Sequence, residues 1–411
     1  MKLLYFHQHF TTPDGSWGTR SYEMAKALVA AGHDVTMVCG SAAQGRTGLT
    51  GPFRRGRREG DVEGIHIVEL ELPYANNDGL LKRSIAFLRF AARAMQIAVT
   101  RRADLVFATT TPLTAALPGI AARWLRGRRF VFEVRDLWPE IPREMGVIRN
   151  PVTLAMLGAL EWVGYRSASH LIGLAPGIVR GIARLGVPPE RITLIPNGCD
   201  IQMFSDGAAA VRSDGIAADD LLAVFTGTHG PANGLDAVLD AAAVLKARGE
   251  RRVKLLLVGD GKDKASLVAR TAAENLWNIV RFAEPMPKRA LPGLMKCSDI
   301  GMQILADVPA FYEGTSPNKF FDYLAAGLPI LTNYPGWVAD LVSQSGAGIA
   351  VKPRDPESFA DALQALLAEK DRGTLVARKT ASAALGAREF DRALLAARFV
   401  ATLEQAAGLR R

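Results

Sequence analysis

The sequence predicts an α/β protein made of two doubly wound, Rossmann-like domains with parallel sheets. Short runs rich in Val, Ile, Leu and Phe alternate with amphipathic stretches of helical period, which is the rhythm of βαβ units. The length of 411 residues is sufficient for two hydrophobic cores. A polar stretch at 201–220, rich in Ala and Asp, separates a first series of such runs from a second one.

The first series begins with a predicted strand at 3–6, a helix at 20–31 that stops at Gly32, and a strand at 35–39. Because each run is short and almost uniformly apolar, we expect strands that are buried on both faces of a sheet. The remaining strands of this series are predicted at 65–70, 105–108, 130–134, 170–174 and 192–195.

The second series predicts strands at 221–226, 254–258, 279–282, 300–304, 329–332 and 348–351, with a helix at 235–247. We therefore expect an N-terminal domain at 1–204 and a C-terminal domain at 205–387. A final amphipathic helix within 388–411 is expected to pack back on the first domain. In such a pair of domains the carboxyl ends of both sheets face a central cleft where ligands bind.

The composition, with 49% hydrophobic and 22% charged residues, is that of a soluble globular protein. The chain opens directly on a predicted strand, without an apolar run that resembles a signal sequence or a membrane span. The three cysteines lie far apart and lack the spacing of a zinc site. These features predict a cytoplasmic protein in a reducing compartment.

Positive charge is concentrated in the first half of the chain. Residues 1–200 hold 25 Lys and Arg against 17 Asp and Glu, whereas residues 201–411 hold 25 against 24. Such basic clusters contact nucleic acid, an anionic membrane or a phosphorylated substrate, and composition does not choose among them. The clusters are Arg54, Arg55, Arg57 and Arg58, the stretch 82–102, and Arg123, Arg126, Arg128 and Arg129.

The stretch 80–102 is itself predicted to be an amphipathic helix. Lys82, Arg89 and Arg93 share one helical face, and apolar side chains that include Leu81 and Ile85 lie broadly opposite. This pattern suits a surface helix that touches anionic lipid. It suits a basic, solvated helix packed on the core equally well.

A predicted helix from Ser316 to Gly327 places a lysine in its first turn. Ser316 suits the N-cap, Pro317 the first helical position and Gly327 a left-handed stop. Lys319 then lies where backbone N–H groups already carry positive charge, which is unfavourable unless an anion binds there. With Asp322 on the same side, the helix indicates a nucleotide-sugar pocket. The alternative is a Lys319–Asp322 pair on a solvated face, worth about 0.2–0.5 kcal/mol.

A glycine-containing loop follows the first strand of each domain, at 13–18 in the first domain and at 227–234 in the second. Glycine lets backbone N–H groups approach a phosphate closely, and the helix that follows adds its dipole. The sequence has no Gly-x-Gly-x-x-Gly after its first strand and no P-loop motif, which disfavours dinucleotide and P-loop nucleotide binding.

Polar side chains crowd the end of the strand predicted at 130–134. The segment 133–140, which reads EVRDLWPE, brings two glutamates, an arginine, an aspartate and a tryptophan to the predicted cleft. Burial of so many charges is unfavourable unless they have a function, although a solvated loop over the core is the alternative. The segment 196–200, which reads PNGCD, closes the first domain and is otherwise a plain turn.

Taken in order, these segments resemble the retaining glycosyltransferases of family 4, which have a GT-B fold. The resemblance covers nearly the whole chain and includes the loop at 13–15, the motifs at 32–35, 195–200 and 258–261, and the Lys319 helix. The segments 135–140 and 317–327 look most like the WbuB-type branch. That branch adds sugars to lipid-linked oligosaccharides for bacterial surface polysaccharides.

The resemblance implies roles for individual residues. Asp136, Lys319 and Glu313 would be catalytic, and acceptor binding would involve Arg135, Trp138, Glu140 and Asn197. The donor would be bound by Gly15, Ser16, Gly18, Gly227, Thr228, His229, Asn233, Gly259, Ser316, Asn318, Lys319 and Asp322.

Several positions depart from the family pattern. The family has two glutamates around this helix, one facing the donor sugar and one holding the ribose. Asp322 replaces the second, and Gly314 stands at the first, so that Glu313 is assigned to the sugar. The family's basic pair near the second glycine loop is absent from 228–233, which leaves Lys319 with most of the diphosphate charge. Arg135 stands where relatives have histidine.

The resemblance implies transfer of a sugar, such as an N-acetylated or deoxy hexose, from a UDP-sugar to a polyprenyl-diphosphate-linked saccharide. It implies no metal and no cofactor besides the UDP-sugar substrate. The basic first domain would hold the protein at the inner face of the cytoplasmic membrane. One alternative is a GT-B epimerase that needs no acceptor. A second, nucleic-acid binding, is disfavoured because the basic residues lack interleaved aromatic side chains.

Overall fold

The computed structural model describes residues 1–15, 18–42, 45–73, 79–205, 210 and 215–409. Its tertiary contacts divide the chain into two compact units. The division lies after Pro196, upstream of the 204/205 boundary expected from the sequence. The first unit comprises Met1–Pro196, Gly314–Ser316 and Ala393–Arg411, and the second comprises Asn197–Glu313 and Pro317–Arg392.

The first unit is built on an eight-stranded sheet with helices in the connections. Its elements are β1 (Lys2–Phe6), α1 (Arg20–Ala30), β2 (Asp34–Gly40), β3 (Arg57–Val62), β4 (Ile65–Leu70), α2 (Leu80–Thr100), β5 (Leu105–Thr109), α3 (Ala116–Arg126), β6 (Arg129–Val134), α4 (Glu140–Glu144), α5 (Pro151–Ser167), β7 (His170–Gly173), α6 (Pro176–Arg184) and β8 (Ile192–Leu194). The strand order is β3-β4-β2-β1-β5-β6-β7-β8. Neighbouring strands are parallel except β3 and β4, which are antiparallel.

The apolar pattern predicts the parallel strands of this sheet but misses β3. That strand reads RREGDV, and its residues alternate between half-buried and exposed. It occupies the sheet edge, where charged residues are favoured because they discourage pairing with other chains. An edge strand of this kind has no buried face, so it leaves no apolar run in the sequence.

The second unit is built on a six-stranded sheet of parallel strands in the order β11-β10-β9-β12-β13-β14. The six strands agree with the predicted ones to within a few residues. The elements that follow β8 along the chain are α7 (Ile201–Ser205), β9 (Leu221–Thr226), α8 (Asp236–Ala247), β10 (Val253–Val258), α9 (Lys264–Ala273), β11 (Val280–Ala283), α10 (Leu291–Lys296), β12 (Ile300–Gln303), α11 (Pro309–Gly314), α12 (Asn318–Ala325), β13 (Ile330–Thr332), α13 (Trp337–Ser345), β14 (Gly348–Ala350), α14 (Pro356–Asp371), α15 (Leu375–Glu389) and α16 (Arg392–Ala407).

The last helix, α16, returns to the first unit. Its Phe399 ring packs edge-to-face against Phe107 on β5, with ring centres 5.1 Å apart. Near its end, the carbonyl oxygen of Ala406 accepts a hydrogen bond from Arg129 at 3.1 Å. Among the described helices, none combines the length and the apolar character that a bilayer span requires.

Candidate active site

A fully buried carboxylate organises the carboxyl end of the first sheet. Glu133, on β6, accepts hydrogen bonds from Arg20 at 3.0 and 2.8 Å and from the Thr109 hydroxyl at 2.7 Å. Burial alone would raise the pKa of Glu133. The charges of Arg20 and Arg135, together with the hydrogen bonds, outweigh burial and lower that pKa, so the carboxylate is ionised.

Arg135, two residues after Glu133, extends this network. Its Nε donates to Thr109 Oγ1 at 2.7 Å and to Glu133 Oε1 at 3.1 Å. Its Nη2 donates to Ser21 Oγ at 2.7 Å, and the Tyr5 hydroxyl donates to the same oxygen. Three side chains therefore hold the Arg135 guanidinium in one position at the carboxyl end of β6.

Asp136 and His7 are two of the titratable side chains within electrostatic reach of Arg135. Burial raises the pKa of Asp136 to about 6, against a smaller opposing effect of the Arg135 charge. Burial lowers the pKa of His7 well below its usual range, and the charges of Arg135 and His9 act in the same direction. Around neutral pH, Asp136 is therefore mostly ionised and His7 is neutral. Asp136 is the member of this pair that titrates near working pH.

The other residues predicted to bind the acceptor lie in different surroundings. Trp138 is half-buried after β6, and Glu140 opens α4 with its carboxylate 3.6 Å from Arg184. Asn197 is buried and belongs to the second unit. Of the four predicted residues, Arg135 is the one that joins the Glu133 network.

The loop after β1 contains the first predicted phosphate-binding glycines. A Cβ atom on Gly15 would lie 2.0 Å from the Thr11 hydroxyl oxygen, so the loop has no room for a side chain there. Gly18 is half-buried just before α1. Ser16, which the sequence also assigns to the donor, lies outside the described residues.

In the second unit, the Lys319 side chain extends from the first turn of α12 to the loop after β9. Its ammonium donates to Asn233 Oδ1 at 2.9 Å and lies 4.6 Å from the centre of the Phe225 ring. Burial lowers the pKa of Lys319 to about 8. Lys319 is half-buried, and both of these partners are neutral. Within the described residues, the ammonium therefore has no carboxylate partner to stabilise its charge.

Close backbone packing shapes the same loop. A Cβ atom on Gly227 would lie 3.1 Å from Lys319 Cε, and one on Gly259 would lie 1.8 Å from the Gly227 carbonyl oxygen. Both glycines have a φ of 147°, which disfavours other residues. Asn233 Nδ2 donates to the Thr228 carbonyl at 2.7 Å. Five residues that the sequence assigns to the donor therefore lie together.

The helix that carries Lys319 begins one residue later than the sequence predicts. Pro317, rather than Ser316, is the N-cap, and no side chain caps the helix. Asn318 is the first helical residue and is exposed. At the other end, Gly327 has a φ of 65°, which confirms the predicted left-handed stop. Lys319 remains in the first turn.

Asp322 pairs with a lysine that the sequence reasoning does not identify. Lys288 Nζ lies 3.3 Å from Asp322 Oδ1 and 2.6 Å from Asp200 Oδ2. Arg392 also binds the Asp200 carboxylate. The alternative Lys319–Asp322 surface pair is therefore wrong, because each of the two side chains has a different partner.

Glu313 lies next to the start of α13. Gly336, the N-cap of that helix, has a φ of 107°. A Cβ atom there would lie 2.2 Å from the Tyr312 carbonyl oxygen and 3.2 Å from Glu313 Oε1. The Glu313 carboxylate is thus placed beside a helix N-terminus, where the helix dipole favours negative charge.

Comparison with known protein families accounts for most of the chain. Residues 15–198 match the family described as Glycosyl transferase 4-like domain, and residues 220–369 match Glycosyl transferases group 1. The chain therefore carries one domain of each of these two glycosyltransferase families. The expected enzyme class is thereby confirmed at the level of the two domain families.

The relatives of this glycosyltransferase include curated proteins named D-inositol 3-phosphate glycosyltransferase. The one from Thermobispora bispora is 30% identical over 229 residues, which cover 53% of this chain and 51% of that protein. The one from Nocardia farcinica is 29% identical over 195 residues, which cover 46% of this chain and 42% of that protein. The matches thus span about half the length of these relatives.

Solved structures confirm the GT-B fold class. Sucrose-phosphate synthase from Thermosynechococcus elongatus has a TM-score of 0.73 at 16% identity, with all of both chains covered. HepE from Anabaena, solved with UDP, has a TM-score of 0.67 at 17% identity and 98% and 100% coverage. WaaG, a glycosyltransferase involved in lipopolysaccharide biosynthesis, has a TM-score of 0.68 at 15% identity, with 97% of this chain and 98% of that chain covered.

In both units of the glycosyltransferase, buried polar atoms remain unpaired at the carboxyl ends of strands. Within the described residues, both amide atoms of Gln8 and of Gln303 lack hydrogen-bond partners, as do both ring nitrogens of His229. Burial lowers the pKa of His229 to about 4, and the nearby Lys264 charge adds to this effect. Orphaned buried polar groups are rare, and these indicate polar ligands or ordered water at each strand end.

Sequence reasoning identifies His229 but misses Gln8, Gln303, Arg20 and Lys288. Gln8 lies two residues after the strand predicted at 3–6, and Gln303 is the penultimate residue of the strand predicted at 300–304. A search for polar residues near strand ends would therefore have found both. Arg20 and Lys288 leave no local signal, because their partners lie far away in the chain.

Replacing Lys288 by methionine is expected to destabilise the second unit by about 1–3 kcal/mol. The change leaves the Asp322 carboxylate buried without its cation, whereas Asp200 keeps Arg392. Urea unfolding followed by tryptophan fluorescence measures the free energy. The matched control is Lys352→Met at an exposed lysine, for which a change below about 0.5 kcal/mol is expected. Equal effects in the two variants would contradict the importance of the pair.

Proposed function

We propose that this protein transfers a sugar from a UDP-sugar to a hydroxyl group of an acceptor with retention of anomeric configuration. The observation that carries the proposal is the Lys319 ammonium, which is held by the neutral Asn233 beside the glycines Gly227 and Gly259. A donor diphosphate supplies the missing negative charge. The UDP bound to HepE, a protein of the same fold, supports UDP as the nucleotide.

The proposed reaction breaks the bond between the sugar anomeric carbon and the diphosphate oxygen and forms a bond to the acceptor oxygen. The transition state is oxocarbenium-like, and its main requirement is stabilisation of the departing diphosphate. Lys319 and the N–H groups of the glycine loops meet that requirement. The leaving phosphate oxygen takes the acceptor proton, Asp136 orients the acceptor, and no metal ion takes part.

Three further residues complete the proposed donor and acceptor contacts. Asp322 binds the ribose, and Glu313, which lies beside the N-terminus of α13, faces the donor sugar. Arg135, held by Thr109 and Ser21, contacts the acceptor.

The first candidate acceptor is a polyprenyl-diphosphate-linked saccharide, as in the WbuB-type branch that the sequence resembles. Helix α2 supports it, because Leu81, Ile85 and Leu88 are exposed on a helix that also carries Lys82 and Arg89. Exposed apolar residues with flanking cations favour an anionic membrane surface. On this view the protein is cytoplasmic and binds peripherally to the inner face of the membrane.

A second candidate acceptor is a soluble phosphorylated polyol. The curated relatives named D-inositol 3-phosphate glycosyltransferase favour this acceptor. The chain matches about half of the length of those relatives. Both candidates place a phosphate group in the acceptor. They differ in whether a lipid is attached to it.

A panel of UDP-sugars tests the donor part of the proposal. The correct donor is expected to raise the melting temperature, because a ligand that binds only the folded state stabilises it by mass action. Incubation of the stabilising donor with each acceptor class, followed by NMR of the sugar, then identifies the acceptor. If the sugar of the UDP-sugar is converted to another sugar when no acceptor is added, the protein is an epimerase. If no UDP-sugar raises the melting temperature, the proposal is refuted.

The role of Asp136 predicts a specific pH profile. The kcat/KM of the wild type is expected to decrease as the pH is lowered below about 6. Asp136 then takes up a proton and no longer accepts a hydrogen bond from the hydroxyl group of the acceptor substrate. In Asp136→Asn, activity drops by about 10- to 100-fold and this acidic limb disappears. An unchanged limb in the variant would show that another group titrates.

Stability measurements separate this role from a folding defect. Because the pKa of Asp136 is raised in the folded state, its ionisation destabilises the protein as pH rises through about 6. Asp136→Asn is therefore expected to melt at a higher temperature than the wild type at pH 8 and at nearly the same temperature at pH 4.

A further inference from the structure

A basic groove lies at the outer edge of the first sheet, between β3 and the second half of α2. It has a volume of about 1070 Å³. Glu59 is the single carboxylate in its described lining, against six arginines. These are Arg54, Arg55, Arg57, Arg58, Arg93 and Arg101.

Carboxylates neutralise only part of this charge. Arg58 makes a two-point contact with Glu69 at 2.8 and 3.0 Å, outside the groove lining. Arg57 and Arg101 share Glu59, at 3.2 and 2.6 Å. The remaining three arginines have no recorded ion pair in the described part of the chain. They are Arg54, Arg55 and Arg93.

The turn that carries two of these arginines is held firmly. Backbone hydrogen bonds join Arg54 and Arg57 in both directions, at 2.8 and 3.2 Å. The two residues between them, Arg55 and Gly56, have φ values of 50° and 76°. Such a turn favours Asn-Gly, and an arginine at the first position is strained relative to asparagine. The position of Arg55 at the tip of the turn therefore lowers the stability of the local backbone.

Helix α2 fastens this turn from the other side. Arg93 Nη1 donates to the Gly56 carbonyl oxygen at 3.1 Å. A Cβ atom on Gly56 would lie 3.1 Å from both Nη1 and Nη2 of Arg93, so the guanidinium packs closely against the turn. The guanidinium of Arg93 is thus positioned beside the tip of the turn rather than extended freely into water.

Part of the groove lining lies at the carboxyl end of the first sheet, the end that also carries the Glu133 network. Because β3 is antiparallel, its first residue, Arg57, pairs with Leu70 at the carboxyl end of β4. Three strand spacings of about 4.8 Å separate β3 from β1, which places the groove about 14 Å from the β1 strand end. The groove therefore lies outside the candidate active site but includes residues at the same carboxyl end of the sheet.

We propose that this groove is a second phosphate site, which binds the phosphate groups of an anionic ligand separately from the donor. Guanidinium groups match phosphate oxygens with two parallel hydrogen bonds, and three unneutralised arginines suit a diphosphate or two adjacent phosphate groups. The ligand is either a soluble phosphorylated molecule or the headgroup of a lipid. All described residues of the groove belong to the first unit, so phosphate binding there does not require Lys319.

Titration calorimetry with inorganic pyrophosphate tests the site. The measurement is made on Lys319→Ala protein, so that the candidate donor pocket does not contribute. The test variant is Arg54→Gln/Arg55→Asn, in which asparagine suits the left-handed backbone and preserves the turn. The control is Arg398→Gln, at an exposed arginine on α16 in the same unit.

Pyrophosphate is expected to bind the parent and the control alike and to bind the Arg54→Gln/Arg55→Asn protein at least about tenfold more weakly. A second arm measures sedimentation with phosphatidylglycerol vesicles. A comparable loss of vesicle binding in the test variant, with weak pyrophosphate binding, supports the site and identifies a lipid headgroup as its source.

Two outcomes overturn the proposal. One is the same affinity for pyrophosphate and vesicles in the test variant and the control. The other is binding of oligonucleotides alone, which would assign the arginines to nucleic acid. Failure of UDP-sugars to stabilise the protein would refute the proposed function and leave this result unaffected.

Discussion

Replacing Lys319 by alanine is expected to lower kcat/KM for the UDP-sugar by at least about 100-fold. The variant lacks the ammonium that donates to Asn233 in the loop after β9 and lies over the Phe225 ring. Fixed charges that stabilise a departing group typically contribute 10²–10³ in rate. Steady-state kinetics with the stabilising donor measure the effect, and circular dichroism confirms that the variant is folded.

Matched variants make the Lys319 result specific. Lys319→Arg keeps the positive charge and is expected to retain part of the activity. Lys352→Ala, which removes an exposed lysine elsewhere in the second unit, is expected to leave activity unchanged. A folded Lys319→Ala enzyme with wild-type turnover would contradict the assignment of this residue to the diphosphate.

The lowered pKa of Lys319 provides an independent test. Affinity for UDP is expected to fall as pH rises above about 8, because the free enzyme then loses its ammonium charge. A bound diphosphate stabilises the charged form and raises that pKa. Calorimetric titrations in buffers of different ionisation enthalpy would therefore detect proton uptake on UDP binding near pH 8.

The largest effect on stability is expected from Arg20→Met, about 3–5 kcal/mol. Arg20 is only 2% exposed and Glu133 is fully buried, so the change leaves an uncompensated charge in the core. It also removes hydrogen bonds to the carbonyl oxygens of Ile195 and Pro196. Urea unfolding followed by circular dichroism measures the loss of free energy.

A double variant distinguishes lost charge balance from lost packing. Arg20→Met/Glu133→Gln removes both charges and is expected to recover part of the stability, since the buried carboxylate is then neutral. Arg398→Met, at an exposed arginine on α16, is the control. A loss below about 1 kcal/mol in Arg20→Met would show that the pair is not important for folding.

The pH dependence of the same pair follows from the lowered pKa of Glu133. Its stabilising contribution is present above the unfolded-state pKa of about 4.3 and is lost as pH falls below that value. The difference in stability between wild type and Arg20→Met is therefore expected to shrink in acid.

Secondary structure was largely predictable because buried parallel strands leave a local mark. The run at 221–226 is apolar throughout, and β9 covers the same residues with every one buried. Gly227 could be assigned to a ligand loop because it directly follows such a strand, whereas Gly259 was assigned through the family motif at 258–261. β3 could not be predicted, since an edge strand without a buried face has no apolar period.

Contacts between distant segments were not predictable. Arg20 and Glu133 are 113 positions apart, and Lys319 and Asn233 are 86 apart. The pattern around Asp322 contains no sign of Lys288, which lies in a short 3₁₀ turn after β11. Such pairs depend on how whole elements pack, and no short-range spacing encodes that packing.

The sequence alone determined the α/β fold class, the strand positions and a lysine in the first turn of a helix, because periodicity and capping are local properties. Only the tertiary structure decided the partners. It placed Lys319 with the neutral Asn233 and Asp322 with Lys288, instead of with each other. The reason is that charge pairing depends on distances of a few ångströms, and the packing of remote strands and helices sets those distances.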